Sequence, residues 1–402
     1  MLVNEIVSWL SQTHITLVEA MTLPTVRINT FIQTKSKPFV DILSKIYMIG
    51  GLLIGINRIP ILTGNYILIV LSIFYSLSGV SAILYITFSK NNFFMGLILC
   101  LNVLSYVFCA LYNLFSYKRM CRYYNEINKF DMEVGCRPKA DPLSIRCYVQ
   151  ACVLTVYIIV LFFIPYGLPT LTQYLFHIIP VHVAVSWELH YYGHAISLLL
   201  PRLRLINYYM QLSLTTSKDI KKTVSSKYVF FKKCNDNLNS QMKKIMDLYY
   251  IAFQANNYLI AAVKWQLLMI IVASFISVLS YCYHFSLNII RGEQFVDNMI
   301  SDFGLIATLM VPMFAPCVSG SHIHNEVRHL RELLASRLYE NKLDKSCRSI
   351  ARALLEFTEY RDFSFRLLRI LDVDISLPFK FVGLLVTYLI ILMQFEKVIN
   401  PP

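Results

Sequence analysis

Seven stretches of the chain are apolar for about twenty residues each, the length that an α-helix needs to cross the hydrocarbon core of a bilayer. They are residues 66–88, 93–116, 147–169, 174–198, 264–286, 302–320 and 377–395. A weaker apolar run, 39–57, contains Asp41 and Lys45, and we interpret it as an interfacial helix that leads into the first span. Because a lipid-embedded backbone must satisfy its own hydrogen bonds and no alternating barrel pattern occurs, the sequence predicts an all-α integral membrane protein with seven transmembrane helices.

The composition agrees with this prediction. Apolar residues make up 56% of the 402 residues and charged residues 15%, with a mean hydropathy of +0.54, whereas soluble domains carry about 25% charged residues. A soluble globule, a disordered chain and a disulfide scaffold are all excluded by these values. The ten cysteines form no C-x-x-C pair, so neither a zinc ribbon nor a redox motif is present.

The distribution of basic residues predicts the orientation. Of the 37 Lys and Arg residues, 32 lie in the four segments 1–63, 117–146, 201–260 and 321–376, and three lie in the connections on the other side. Positive charge accumulates on the cytoplasmic side, so the N-terminus is predicted to be cytoplasmic and the C-terminus extracellular, opposite to a G-protein-coupled receptor. The net charge of +13 is explained in this way and predicts no nucleic-acid partner. The external connections are short, so an external ligand must enter the helix bundle.

This reading divides the chain into six parts. We predict a cytoplasmic N-terminal segment with the interfacial helix (1–63), a bundle of spans one to four (64–200), a cytoplasmic helical loop (201–260), spans five and six (261–320), a second cytoplasmic helical segment (321–376), and the last span with a short external tail (377–402). Apolar residues recur at spacings of three and four in the second segment, at Val327, Leu330, Leu334 and Leu338. The spans are therefore expected to continue as long cytoplasmic helices, whose apolar faces pack within the chain or hold subunits together.

The last span carries two files of side chains. Residues seven apart nearly superimpose on an α-helix. One file is polar and consists of Lys380, Thr387 and Gln394, and the neighbouring file is aromatic and consists of Phe381, Tyr388 and Phe395. A polar file in a membrane helix needs protein partners or water. Either packing within the chain or several copies of the helix around an axis would provide them.

The pattern Thr387-Tyr388, five apolar residues and Gln394-Phe395 resembles the TYhhhhhQF signature of insect gustatory receptors. The resemblance implies a homotetrameric, ligand-gated, non-selective cation channel in the plasma membrane of sensory neurons, with hetero-assembly with other gustatory receptors as an option. It implies that four copies of the last helix line a central pore and that the cytoplasmic helices form an anchoring domain. Thr387, Tyr388 and Ile391 would then line the pore, and Gln394 and Phe395 would form the outer gate. A hydrophobic ring excludes ions by dewetting, and a helix rotation of about 100° would exchange Phe395 for Gln394.

Candidate ligand-binding residues cluster in the outer halves of the spans. Glu188 is an ionisable group at membrane depth, which marks a candidate functional residue, and aromatic walls with few polar groups are typical of small-molecule sites. The candidates are Phe94, Tyr106, Phe162, Phe163, Tyr166, Tyr174, His177, His182, Trp187, Glu188, Tyr281 and His284. Few amides and acids accompany these rings, so a weakly polar plant metabolite is favoured as the tastant, with fructose or a related sugar as the alternative.

The same residues fit a metal site, a membrane-embedded enzyme or a transporter less well. His190 and His194 have the spacing of a zinc pair, but no third ligand is evident, so no metal and no cofactor are expected. A membrane-embedded enzyme would show a fuller His or Asp cluster. A transporter would show internal repeats or paired broken helices. The sequence therefore favours a receptor channel over both.

Overall fold

The computed structural model describes residues 39–53, 56, 70–71, 73–75, 77–78, 81, 93–135, 142–175, 178–214, 238–291, 295–340, 345–361, 363–367 and 371–399, all within the unit Lys37–Pro402. Besides the helical positions between 70 and 81, these residues form nine α-helices and one two-stranded sheet. In chain order they are α1 Phe39–Leu53, α2 Phe93–Val134, α3 Pro142–Leu175, α4 Ile178–Ser197, α5 Leu200–Leu214, α6 Leu238–Arg291, α7 Phe295–Tyr339, α8 Lys345–Tyr360, β1 Arg366–Leu367, β2 Leu371–Asp372 and α9 Ser376–Ile399.

Three helices are much longer than a membrane crossing. α2, α6 and α7 contain 42, 54 and 45 residues, and at 1.5 Å per residue α6 alone is about 80 Å long. They therefore run past the ends of the predicted spans, as the periodic pattern after residue 320 indicated. Val327, Leu330 and Leu334 are buried on one face of α7.

Within the described side chains, three segments are long and apolar enough to cross a membrane, namely Asn239–Tyr283, Phe303–Tyr339 and Ser376–Phe395. They contain the predicted fifth, sixth and seventh spans almost completely. The predicted spans 93–116, 147–169 and 174–198 fall on α2, α3 and α4. The predicted first span, 66–88, lies largely outside the described residues, and its described positions between 70 and 81 are helical.

The bundle is held by a few polar contacts set among apolar side chains. α6 packs along α2, and α4 packs between α3 and α7. Gln266 of α6 joins three helices, because its Nε2 donates to the Cys109 carbonyl of α2 at 3.1 Å and its Oε1 accepts from the Tyr192 hydroxyl of α4 at 2.8 Å. Further along the same pair of helices, the Ser277 hydroxyl donates to Asn102 Oδ1 at 3.0 Å. Such contacts satisfy polar groups that would otherwise be costly to bury.

α4 and α7 approach each other at the level of their backbones. A Cβ on Gly193 of α4 would lie 2.8 Å from the Ala315 carbonyl carbon and 2.9 Å from the carbonyl oxygen of α7. α7 is continuous there although Pro312 and Pro316 lie within it. Prolines are tolerated in membrane helices when neighbouring helices cover the disturbed turn. Gly193 therefore permits a contact that any larger residue would prevent.

On the predicted cytoplasmic side, α5 is bonded to α2 and to α7. The Arg202 guanidinium donates to both carboxylate oxygens of Asp131, at 3.0 and 2.6 Å, and both side chains are buried. On the other side of α5, Glu326 of α7 accepts from Arg204 Nε and Asn207 Nδ2, both at 2.9 Å. α5 is therefore attached to both of its neighbours by charge-assisted hydrogen bonds.

A short hairpin connects α8 to the last helix. β1 and β2 are antiparallel, with Arg366 opposite Asp372, and the Val373 N–H donates to the Phe365 carbonyl at 2.8 Å. The Val373 carbonyl lies against Gly320 of α7, where a Cβ would be only 2.5 Å from the oxygen. Asp374 then begins α9 as its N-cap, since its Oδ1 accepts from the Ser376 N–H at 3.0 Å.

Candidate pore helix and ligand-binding residues

One face of α9 packs against its own chain. Leu377, Phe381 and Leu385 are buried, and the Phe381 ring meets the Phe275 ring of α6 edge to face with centroids 5.1 Å apart. Tyr388 contacts the same Phe275 ring at 6.0 Å. The aromatic file therefore belongs partly to the contact between α9 and α6.

The polar file faces the opposite way. At about 100° per residue, Lys380, Thr387 and Gln394 lie roughly on the other side of the helix from the buried residues, and all three are exposed in the single chain. In the most apolar window of α9 only 22% of the positions are buried, against 50% and 56% for the segments on α6 and α7. Most of α9 is thus uncovered by its own chain, although its sequence is strongly apolar.

The residues predicted to line the pore and gate are all on uncovered parts of α9. Tyr388, Ile391 and Phe395 are 46%, 40% and 60% exposed. The Thr387 hydroxyl donates to the Gly383 carbonyl one turn earlier, at 3.0 Å. This bond satisfies the hydroxyl hydrogen within the helix and leaves lone pairs on its oxygen for a further partner.

α4 has the opposite character. Every described side chain from Val181 to Leu203 is buried, although this stretch is rich in polar groups. Its buried polar and charged side chains are His182, Ser186, Glu188, His190, His194, Ser197 and Arg202. Buried polar groups need hydrogen-bond partners, so neighbouring helices must be organised around them.

His194 joins α4 to α1 and to α3. Its Nε2 lies 3.2 Å from the Ser44 hydroxyl of α1 and its Nδ1 lies 2.5 Å from the Ser144 hydroxyl of α3. The Tyr47 ring of α1 stacks on the imidazole with centroids 5.1 Å apart. Both ring nitrogens are thus engaged by serines, while His190 Nδ1 donates to the Ser186 carbonyl at 2.8 Å. Among the described residues, no group of three or more His, Cys, Asp or Glu side chains is arranged to hold a metal ion.

A hydroxyl on α2 adds a second polar contact to the same part of α4. The Tyr123 hydroxyl donates to the Ala195 carbonyl at 2.5 Å. Tyr123 lies beyond the predicted cytoplasmic end of its span, and burial raises the pKa of its phenol well above the usual range, with Tyr124 raising it further. The group therefore remains a protonated donor at any physiological pH.

Five of the predicted ligand-binding side chains are described, and they differ in what they contact. The Trp187 Nε1–H donates to the Tyr47 carbonyl at 3.0 Å, so this ring is engaged with α1. Tyr106 belongs to a small apolar cluster with Val181 and Ala184, which precede and follow His182 in the sequence. Glu188 is buried, and Tyr281 packs on the core. His182 is different, because its buried Nδ1 has no hydrogen-bond partner in the described part of the chain.

The other predicted ligand-binding positions lie outside what the structure describes. His177 falls outside the described residues, and the remainder lie on helices whose side chains are not described there. These are Phe94, Phe162, Phe163, Tyr166, Tyr174 and His284. Whether the twelve residues line one site stays a prediction.

Two recesses among the described side chains include no predicted ligand-binding residue. One lies between α2, α4 and α6 and has a cavity volume of about 10 Å³, roughly the room for one water molecule. It is lined by Asn113, Ser116, Tyr117, Met120, Tyr191, Ala262, Val263 and Gln266. The other is apolar, lies where α4, α6, α7 and the start of α9 meet, and has no room for a water molecule. Both are far smaller than the usual ligand pocket.

Sequence reasoning missed the role of α1 in this part of the molecule. Tyr47 is fully buried and contacts Tyr148, Trp187, Tyr191 and His194. The only available signal was its place in the weak apolar run 39–57. The spacing of Ser44 and Tyr47, three residues apart, put both on one helix face, but nothing local identified α4 as their partner.

Comparison with known proteins identifies the class. Residues 53–399 match the family described as 7tm Chemosensory receptor. The chain is similar in fold to the insect olfactory receptor OR5 from Machilis hrabei in complex with eugenol, with a TM-score of 0.62 and 11% identity over 89% of this chain and 98% of that one. The structure of the same receptor described without eugenol gives a TM-score of 0.56 and 11% identity over 81% and 90%. No curated protein sequence matches.

The chain therefore belongs to the 7tm chemosensory receptor family and has the fold of an insect chemoreceptor. It is a membrane protein and a receptor rather than an enzyme. The resemblance carried by the motif of the last helix is confirmed at this level.

Proposed function

We propose that the protein is a gustatory receptor that acts as a tastant-gated, non-selective cation channel. In this proposal four copies surround a central pore in the plasma membrane of a sensory neuron. Each copy has seven spans, a cytoplasmic N-terminus and an extracellular C-terminus. α9 lines the pore, and α5, α8 and the cytoplasmic ends of α6 and α7 form the anchoring region that holds the subunits together.

The two-sidedness of α9 carries this proposal. Phe381 and Tyr388 of its aromatic file pack on Phe275 of its own bundle, whereas its polar file faces away from that bundle. Lipid alone would suit the apolar positions but not Gln394, because an uncompensated polar side chain is costly in hydrocarbon. Symmetry-related copies around a wet axis would give the polar file both water and partners.

The gate is proposed at the outer end of α9. Phe395 of each copy would form a ring that excludes hydrated ions, with Ile391 one turn below as a second constriction. Gln394 lies next to Phe395 in the chain, so a rotation of about 100° brings it towards the axis in place of the ring. Thr387 and Tyr388 lie deeper, and the free lone pairs of the Thr387 hydroxyl would face permeating cations.

The ligand site is proposed in the outer half of the bundle formed by α2, α3, α4 and α6. His182 supports this location, because its buried Nδ1 has no partner among the described side chains, and such a nitrogen costs free energy unless something occupies the space beside it. The ligand is proposed to be a weakly polar plant metabolite of the terpenoid, steroid or alkaloid kind. The fold relative from Machilis hrabei was solved with eugenol, a small molecule, which supports the same type of ligand. A fructose-type sugar receptor is the alternative.

Cysteine accessibility in a conducting channel tests the pore. In cells that express only this chain, Thr387→Cys and Gln394→Cys should make the ligand-evoked cation current sensitive to a charged, membrane-impermeant thiol reagent. Val386→Cys is the matched control, because Val386 is also exposed on α9 but is turned about 100° from Thr387. Equal sensitivity of all three variants and the unmodified protein would contradict a pore lined by the polar file.

The gate has its own test. Phe395→Ala should give current in the absence of ligand, and Gln394→Ala should reduce the ligand-evoked current without a leak. Unchanged currents in both variants would remove α9 from the gate. If the cells showed stoichiometric uptake of a solute and no channel current, the protein would be a transporter.

A panel of terpenoids, alkaloids and sugars, read out by calcium entry, would identify the ligand class. His182→Ala should then weaken the response to the active compound. His190→Ala is the control, since the Nδ1 of His190 is satisfied by its own helix. A calcium response to sugars alone would favour the alternative, a fructose-type sugar receptor.

A further inference from the structure

Three cationic side chains line the outside of the seam between α2 and α6. Arg119 Nη1 donates to the Ala261 carbonyl at 3.0 Å and to the Tyr112 hydroxyl at 3.3 Å. One turn along α2, the Arg122 guanidinium lies 5.9 Å from the centroid of the Tyr258 ring. On the other side of Ala261, Lys264 Nζ lies 5.6 Å from the centroid of the Trp265 ring.

These side chains, which we call the cation seam (Arg119, Arg122 and Lys264), form a continuous stripe. Their contacts on α6 fall on Tyr258, Ala261 and Trp265, one per turn, so the stripe is about 10 Å long. Rings and a backbone carbonyl position the cations, and both arginines are exposed. Stacked, pre-positioned guanidinium groups are suited to binding a phosphate with two N–H groups at once.

The cation seam is not neutralised by acidic residues. Among the described residues, no carboxylate forms an ion pair with any of its three side chains. The sequence contains no Asp or Glu between 93 and 125 or between 248 and 292. The nearest acidic residue on α2 is Glu126, one turn beyond Arg122. The positive potential of the seam is therefore available to a ligand from outside the chain.

The predicted span ends place the seam at the depth of lipid headgroups. The predicted second span ends at 116 and the predicted fifth begins at 264, so the three cations lie within two turns of the cytoplasmic boundary. Trp265 is 40% exposed, and tryptophan is enriched at membrane–water interfaces. Phe115, one turn from Arg119 towards the membrane centre, is also exposed and would contact the acyl chains.

We propose that the cation seam binds the headgroup of an anionic phospholipid in the cytoplasmic leaflet. The headgroup phosphate contacts Arg119 and Arg122, Lys264 approaches from the membrane side, and Trp265 and Phe115 contact the glycerol and upper acyl region. Basic pockets between transmembrane helices on the cytoplasmic side are known to bind such headgroups. The inference goes beyond the proposed channel function but uses the same orientation, with the N-terminus in the cytosol.

Lipid binding can be measured without any ligand or current. The full-length protein, purified in a mild detergent, would be titrated with phosphatidylserine, with a phosphatidylinositol bisphosphate and with phosphatidylcholine, and bound lipid counted by native mass spectrometry. Both anionic lipids should bind more tightly than phosphatidylcholine. Arg122→Gln and Lys264→Gln should each weaken binding about fivefold, the factor that corresponds to about 1 kcal/mol per basic side chain.

The variants separate the seam from charge in general. Arg122 and Lys264 make only ring contacts here, so their replacement should leave the melting temperature of the lipid-free protein unchanged. Arg352→Gln removes an exposed cation on α8, away from the seam, and should leave lipid affinity unchanged. Arg119→Lys keeps the charge but loses the planar fork, and should weaken binding less than Arg119→Gln.

Three results would overturn the proposal. Equal affinity for phosphatidylserine and phosphatidylcholine would show that the seam does not distinguish anionic from uncharged headgroups. An equal loss in the Arg352→Gln control would show a diffuse charge effect. Equally tight binding of free inositol trisphosphate would show a soluble phosphate ligand instead of a membrane lipid. None of these measurements depends on conduction. A negative result for lipid binding would therefore not contradict the channel proposal, and a protein that carries no current could still bind the lipid.

Discussion

α4 and α9 are helices of similar length with opposite relations between composition and burial. α4 contains three histidines, a glutamate and two serines, and all of its described side chains from Val181 onwards are buried within the chain. α9 is one of the most apolar described helices, and most of its surface is uncovered. In a soluble protein the two would exchange places, because apolar surface is buried and polar surface is solvated.

The difference indicates which helix the chain completes by itself. α4 finds partners for most of its polar groups in α1, α2, α3 and α7 before any other molecule is present. Within the described part of the chain, His182 Nδ1 and the Ser186 hydroxyl are exceptions. α9 is attached to its own chain by few side chains, such as Phe381 on Phe275 of α6 and Phe379 on Phe314 of α7. Its remaining surface must be covered by lipid or by other copies. Substitutions in the α4 region should therefore change the stability of the single chain, and those on α9 should change what happens between chains.

The largest effect is expected at the buried ion pair next to α4. Asp131→Ala leaves the Arg202 guanidinium buried without its carboxylate, and this should cost about 3–5 kcal/mol. Asp372→Ala is the control near α9, because the pair it forms with Arg366 is exposed and worth about 0–1 kcal/mol. The melting temperature of the detergent-purified protein measures both. Equal losses would contradict the burial of the Arg202–Asp131 pair.

A smaller loss is expected for His194→Ala. The substitution leaves the hydroxyls of Ser44 and Ser144 without their common partner. The total loss should be about 1–3 kcal/mol, because each serine hydroxyl can turn to a carbonyl of its own helix. His194→Asn retains one acceptor and one donor and should recover part of the loss. A melting temperature unchanged by His194→Ala would show that α1 and α3 are not held through this ring.

Gly193→Ala compares the two helices with the smallest possible change. On α4 the new methyl group would lie within 3 Å of the Ala315 backbone, and forcing the helices apart should cost about 1–3 kcal/mol. Gly383→Ala on α9 adds the same methyl group where nothing lies within 4 Å and should be neutral or slightly stabilising. If Gly383→Ala proved the more harmful change in detergent-purified monomers, the contrast between the helices would be wrong.

The smallest effect on stability is expected for Thr387→Val. The hydroxyl is exposed and bonded within its own helix. The free energy of unfolding should therefore change by no more than about 0.5 kcal/mol, and the melting temperature should hardly move. The ligand-evoked current should fall if Thr387 contacts permeating cations. A current unchanged by Thr387→Val, measured beside a normal melting temperature, would place this hydroxyl outside the conduction path.

Local patterns predicted much of the fold. The apolar run 377–395 lies within α9, and the fourth predicted span ends at 198, where the structure breaks the helix between α4 and α5 just before Pro201. Length and 3–4 periodicity carry this information, because both are written in consecutive residues. The Asp374 cap could also be anticipated from its position before the last apolar run.

Long-range contacts could not be predicted in the same way. The contact between Trp187 and Tyr47 joins positions 140 residues apart, and a single sequence does not indicate such pairs. The sequence marked Trp187, Glu188 and His182 as unusual because they are polar or amphipathic groups in a span. Only their surroundings distinguish the ring engaged with α1 from the imidazole nitrogen that lacks a partner.

The contact between Gly320 and the Val373 carbonyl has a consequence for genetic screens. Position 320 lies on α7, far along the chain from the final helix, yet any side chain added there would push directly on the backbone three residues before α9 begins. In a saturation library scored by spontaneous activity, substitutions at 320 should therefore group with those of the last helix. Their phenotype should grow with side-chain volume and be largely indifferent to polarity.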